Sequence, residues 1–230
     1  MNMQDFTLTI RNIIIFSALL FASMNCQASL IFINEIHYDN VGGDQDEFVE
    51  LAGSAGLNLS NWSLQFYNGS NGLIYKSVTI GDITLADQDN GFGFLTMQVT
   101  GIQNGSSGGV GDGIAIVDDN NQLMQFLSYE GAFEAQNGAA LGVLSNNIAI
   151  SQNGTAKGKT LQLTGSGSNY QDFQWVVGDV SKTAANVGEH FTGNTSLPVV
   201  QVSEPNLQIV FISLVLIVCS RVRKRLTNAF

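Results

Sequence analysis

Apolar and polar residues alternate in short runs along most of the chain. The runs cover 30–36, 48–51, 62–67, 73–80, 93–99, 114–117, 123–129, 148–150, 161–163 and 173–176. Period-two patterning is plainest in Ile31-Phe32-Ile33-Asn34-Glu35-Ile36, Ser63-Leu64-Gln65-Phe66 and Thr160-Leu161-Gln162-Leu163, and it predicts strands with one face turned to a core. Asn-Gly pairs punctuate the runs at 68–69, 71–72, 90–91, 104–105, 137–138 and 153–154. Both residues of such a pair tolerate positive φ, so each pair marks a tight turn. No stretch between residues 29 and 195 sustains helical periodicity. Seven to ten short strands at this spacing predict an all-β domain, a sandwich or a barrel.

The two ends break this pattern. Arg11, an apolar core at 13–22 and a polar stretch ending at Ala28 have the layout of a secretory signal peptide, expected over 1–28. Cys26 follows Asn25, where a lipoprotein signal wants a small residue, so cleavage after Ala28 is the expectation. At the other end, the apolar run Leu207–Cys219 is followed by Arg221, Arg223, Lys224 and Arg225, and the expected span is 207–222. An apolar stretch closed by basic residues is expected to span a bilayer with its basic end in the cytoplasm. Its sixteen residues are few against the roughly twenty of a usual spanning helix. The tail resembles PEP-CTERM sorting signals of Gram-negative bacteria, with Ser203-Glu204-Pro205 where the family has Pro-Glu-Pro. That resemblance implies an exosortase-type processing enzyme as a partner and delivery to the cell surface or matrix. The expected organisation is thus signal peptide 1–28, β-domain 29–195, linker 196–206, transmembrane segment 207–222 and basic tail 223–230.

Setting the ends aside sharpens the electrostatics. Cys26 and Cys219 are the only cysteines, so the exported part relies on no disulfide. Residues 29–198 hold seventeen acids against Lys76, Lys157, Lys159 and Lys182, a net charge of −13. A nucleic-acid surface needs clustered Arg and Lys to displace counterions, so direct binding of DNA or RNA is disfavoured. Cations are the better electrostatic partners.

Several motifs carry a second resemblance. Asn34-Glu35-Ile36 within the first strand, Glu47-Phe48-Val49-Glu50-Leu51 and Leu59-Ser60-Asn61-Trp62-Ser63-Leu64 are similar to the opening strands of lamin-tail domains. Downstream, Asp112-Gly113-Ile114-Ala115-Ile116-Val117-Asp118, Lys159-Thr160-Leu161-Gln162-Leu163, and Phe173-Gln174-Trp175 with 183–188 keep the family's order; Ala184 stands where proline is usual. The resemblance spans nearly all of 29–195 and implies an immunoglobulin-like β-sandwich. It is nearest in style to modules attached to bacterial extracellular nucleases and surface proteins. Within these motifs Trp62, Phe48 and Leu51 read as core, and Asn34 as a residue bonded to backbone at a sheet edge or turn.

One cluster points to chemistry. Asp39, Asp44, Asp46 and Glu47 share a loop loosened by Gly42 and Gly43, with Glu35 and Glu50 on the flanking strands. Calcium takes oxygens from carboxylates and carbonyls on flexible loops, so these four are the candidate metal ligands and calcium the candidate cofactor. Asp82, Asp87 and Asp89 form a second, weaker acidic set. No cysteine nucleophile or Gly-x-Ser-x-Gly elbow lies in 29–195, and His37 and His190 lie on distant segments. The expected function is a non-catalytic surface or matrix module that binds or assembles, with extracellular polysaccharide or a surface protein as partner. The alternative is a polymer hydrolase, or an accessory to one, working through the loop carboxylates, which would need two of them facing one cleft.

Overall fold

The computed structural model describes residues 30–105 and 110–193. The signal-peptide, linker, transmembrane and tail expectations fall outside them. Among the described residues no helix is long and apolar enough to cross a membrane.

Among the described residues eleven strands form two sheets. They are β1 (Ile31–His37), β2 (Phe48–Ser54), β3 (Ser63–Asn68), β4 (Leu73–Thr79), β5 (Phe92–Gln98), β6 (Asp112–Val117), β7 (Leu123–Tyr129), β8 (Asn146–Asn147), β9 (Lys159–Gly167), β10 (Phe173–Asp179) and β11 (Glu189–Phe191). The first sheet runs β10-β9-β1-β2-β5, with β11 alongside β9; the second runs β4-β3-β6-β7-β8. Pairing is antiparallel except for β11 on β9 and β8 on β7. The described residues are all-β, and their two sheets are consistent with a sandwich.

The alternation explains how the sheets bury their side chains. Ile33, Ile36 and Leu51 of the first sheet join Leu64, Phe66, Ile114 and Ile116 of the second in one core cluster. Trp62 and Leu51 belong to that core, as their sequence context predicts. A second cluster of Phe32, Ala52, Phe92, Phe94, Phe173 and Phe191 gathers separately. Register places Phe32 opposite Ala52, and Ala52 opposite Phe94, so these three share one face of the first sheet. On that face, the segment leading into β11 covers polar positions that a simple inside–outside reading would expose. All seven residues of β1 are consequently buried.

Some local expectations are corrected. The apolar run 148–150 is not a strand; Ala149 takes φ +59, which interrupts an extended chain, and the pairing falls instead at Asn146–Asn147. Asn34 sits on the central strand β1, not at an edge, and a register shift between Ile33 and Glu35 makes it the extra residue of a bulge. Of the Asn-Gly pairs, Asn90-Gly91 takes positive φ at both residues, +48 and +86, and closes a two-residue turn between Asp89 and Phe92.

Candidate functional site

The β1–β2 loop meets the β5–β6 loop and the β3–β4 turn at one end of the domain. Between them lies a hollow of about 410 Å³, lined by Asp44, Ser70, Gln103, Asn104, Gly105 and Asp112 among others. None of its lining residues is basic. Asn104 Nδ2 donates to Asp44 Oδ2 at 3.0 Å, tying the first loop to the second. Asp112 is buried beneath, accepting from the backbone N–H of Gly69 at 2.9 Å and of Gly105 at 2.8 Å. It staples two loops that would otherwise drift apart.

Behind Asp44 the negative charge accumulates. Burial pushes the Asp39 carboxyl above its ordinary range, and the neighbouring Asp44 carboxylate, at hydrogen-bonding distance, pushes it further. Glu130 is raised by burial too, then by Asp39 and Asp112. Its Oε1 accepts from Tyr38 Oη at 2.9 Å, and the Tyr38 ring stacks on Tyr129 with centroids 4.1 Å apart. Like charges forced together favour whatever supplies positive charge, a proton or a cation.

The four candidate ligands therefore part company. Asp39 and Asp44 come together, with Asp44 on the wall of the hollow. Asp46 is exposed and takes φ +59 in the turn. Glu47 is buried, its Oε2 accepting from Gly101 N at 2.5 Å and its Oε1 from Ile102 N at 2.8 Å. Its carboxylate pins the turn after β5. Removing it strands two amide donors, so Glu47→Ala should cost roughly 2–4 kcal/mol in urea unfolding, with Glu47→Gln recovering part. A loss below about 0.5 kcal/mol would mean that other contacts hold the turn.

The second acidic set does not converge. Asp82 accepts from Ser60 Oγ at 2.5 Å across 22 residues, whereas Asp87 accepts from Gly91 N and Asp89 from Asn90 Nδ2, both at 2.9 Å and within one turn. The histidines stay apart as well. Ile36, beside His37, pairs with Leu161 of β9, whereas His190 pairs with Ser166, five residues or about 17 Å further along the strand. His37 is buried against Gln152, Asn40 and the carbonyl of Gln45, and His190 is exposed. Among the described residues no three His, Cys, Asp or Glu side chains form a ready metal-holding group.

A polar cluster that sequence reasoning missed lies on the covered face of the first sheet. Register sets Glu35 beside Glu50 and Glu50 beside Thr96. Glu35 Oε1 accepts from Thr160 Oγ1 at 2.6 Å and Ser181 N at 3.2 Å. Glu50 accepts from Thr96 Oγ1 at 2.6 Å and from Thr183 N. Asn34 Nδ2 bridges Glu50 Oε1 and Glu189 Oε2, both at 3.3 Å. Burial pushes the carboxyls of Glu50 and Glu189 up to about 7. Glu35 is raised by the same cause. Glu35 and Glu50 are fully enclosed, which puts them beyond reach of a polymer in this conformation. The sequence signal was present but ambiguous: Glu35 and Glu50 occupy the polar positions of alternating strands, where exposure is the ordinary reading.

No family model, no curated protein and no solved structure matches this chain.

Proposed function

We propose that the chain is an exported, surface- or matrix-associated binding module of lamin-tail type, with an immunoglobulin-like arrangement of its sheets. It acts without catalysis, and its acidic end recognises a divalent cation, alone or bridging to an acidic or hydroxyl-rich polymer. The observation that carries the recognition site is the Asp39–Asp44 carboxylate pair beside an open hollow with no basic lining residue. The order of the motifs supports the lamin-tail reading, since they fall on β1, β2, β3, β6, β9 and β10 in turn. The signal peptide and the sorting-like tail support export and processing by an exosortase-type enzyme.

Two carboxylates on loops make a weak site, in the range of about 0.1–1 mM that extracellular calcium modules use. At 10 mM calcium such affinity adds about 1–3 kcal/mol, or roughly 3–10 °C in melting temperature for a domain of this size. The full-length protein in detergent should show that rise, and Asp39→Asn with Asp44→Asn should abolish it. Without calcium the double variant should melt no lower than the wild type, because it relieves repulsion. A wild-type melting temperature that calcium leaves unmoved would remove the cation from this reading. Mass spectrometry of the protein from cells should find its C-terminus near 203–205; an intact Phe230 would replace sorting with plain anchoring.

A further inference from the structure

Two buried oxygens in the covered cluster have no hydrogen-bond partner: Asn34 Oδ1 and Glu189 Oε1. They belong to side chains that are 0% and 3% exposed, and to groups already joined through Asn34 Nδ2 and Glu189 Oε2. Stranding two acceptors in one buried network is costly, and both are relieved by a single hydrogen. Placed on Glu189 Oε1 and donated to Asn34 Oδ1, it would close a two-bond ring between a carboxylic acid and an amide. A hard cation would want six or more oxygens, whereas these two are the cluster's only unpartnered side-chain oxygens among the described residues and no metal-holding group of three carboxylates forms there. We infer that Glu189 carries a proton shared with Asn34, and that this proton latches the segment 180–191 onto the first sheet as a pH-gated strap.

The donor pattern decides which carboxyl holds the hydrogen. Both oxygens of Glu50 face donors, namely Asn34 Nδ2 on one side and Thr96 Oγ1 and Thr183 N on the other. A proton on Glu50 Oε1 would meet the Asn34 amide head-on, and one on Oε2 would require the Thr96 hydroxyl to reverse. Glu189 has a free oxygen and a free acceptor for its neighbour. The charges around it agree: Glu50 on β2 and Asp89 in the turn before β5 both favour its neutral form. Glu35 on β1 acts on Glu50, and Lys182 on the strap favours the ionised form of Glu35 while its Nζ lies 4.3 Å over the Phe48 ring. His190, next in sequence, is exposed.

Carboxylates hold the middle of the strap, while backbone bonds fix its two ends, Val180 N to Gly158 O and Gly165 N to Gly188 O, both at 3.0 Å. Ser181 bonds to Glu35, Thr183 to Glu50, and Asn186 N to Glu189 Oε2 at 2.9 Å. Asn186 Nδ2 also reaches Asn34 O at 3.3 Å. Its far end is anchored separately by Phe191, which packs on Phe92 and Phe173. When Glu189 loses its proton, two negative carboxylates bear on one amide, and the strap lifts from 181 to 187 while β11 stays paired with β9. Lifting it uncovers Glu35 and Glu50 on the first sheet. The inference stands apart from the cation reading, because it uses none of Asp39, Asp44, Asp46 or Glu47.

Hydrogen exchange of the full-length protein in detergent, corrected for intrinsic rates, tests it at pH 5.5 and 8.5. Peptides covering 181–187 should lose at least tenfold protection at the higher pH relative to β3 and β6. Glu189→Gln places an amide N–H where the proton would be and should keep the strap closed at both pH values. Equal strap protection at both pH values in the wild type would overturn the latch, as would a variant that opens with pH as the wild type does. Should that variant fail to fold, carboxyl carbon NMR of the wild type decides: a Glu189 midpoint below 5 overturns the proposal, and one near or above neutral supports it.

Discussion

Gly111→Ala is expected to leave the domain unable to fold stably. A Cβ at this position would lie closer than 3.0 Å to Tyr129 O, Gly131 O and Gly131 N, all of them backbone atoms. A flexible side chain could swing aside, but here the only relief is to part the start of β6 from the end of β7. That breaks the Asp112–Tyr129 pairing and with it the Asp112 carboxylate that ties Gly69 to Gly105. Overpacking ordinarily costs about 1–3 kcal/mol, and a clash confined to backbone belongs at or beyond the top of that range. The melting temperature should fall by roughly 10 °C, or the protein should be recovered insoluble. Gly81→Ala is the matched comparison, since nothing lies within 4 Å of its Cβ. It should change stability by less than about 0.5 kcal/mol. Equal behaviour of the two variants in parallel melts would mean that the hollow's floor is far more yielding than its geometry implies.

The strands were legible because each carries its own signal. Leu64, Phe66, Ile114 and Ile116 sit at alternating positions that need a core, and turn pairs bracket them. What escaped the sequence was made by contacts between distant segments. Glu189–Phe191 holds three residues of mixed character and becomes β11 only because β9 offers an edge at 165–167. Tertiary pairing of that kind leaves no local pattern. The run 148–150 misleads for the converse reason, being apolar enough for a strand while Ala149 turns the backbone left-handed.

The acidic end was half legible. Asp39 and Asp44 lie on one loop and meet as that loop predicts, but Asp112 and Glu130 arrive from β6 and from the residue after β7. Glu47 shows how one residue type serves two purposes. A carboxylate among aspartates resembles a ligand, yet two backbone N–H groups claim its oxygens. The covered face was the least accessible of all. Alternation reports which side of a strand differs from the other, not whether a later segment returns to cover the polar side.

That burial has a thermodynamic signature, and it is the second large effect to expect. In the unfolded chain Glu189 ionises near 4.5, whereas in the folded chain burial holds its carboxyl up to about 7. Below 4.5 both states carry the proton, and the group's contribution to stability is fully present. Between those values the folded state binds the proton and the unfolded state does not, so stability falls as pH rises. The slope is about 1.4 kcal/mol per pH unit for one proton, and the loss is complete once pH passes the folded value. Roughly 3 kcal/mol should therefore vanish between pH 4.5 and 8. General repulsion in an acidic chain slopes the same way, but Glu189→Gln changes only the local part. That variant should be at least as stable as the wild type, with a lead that widens toward roughly 3 kcal/mol at pH 8. Glu50→Gln should do the opposite, because its new amide would face groups that already donate to both oxygens of Glu50. It should destabilise at acid and alkaline pH alike, by about 1–3 kcal/mol. Urea unfolding at pH 5.5 and 8 separates the two substitutions. A Glu189→Gln variant weaker than the wild type at pH 8 would place the proton elsewhere.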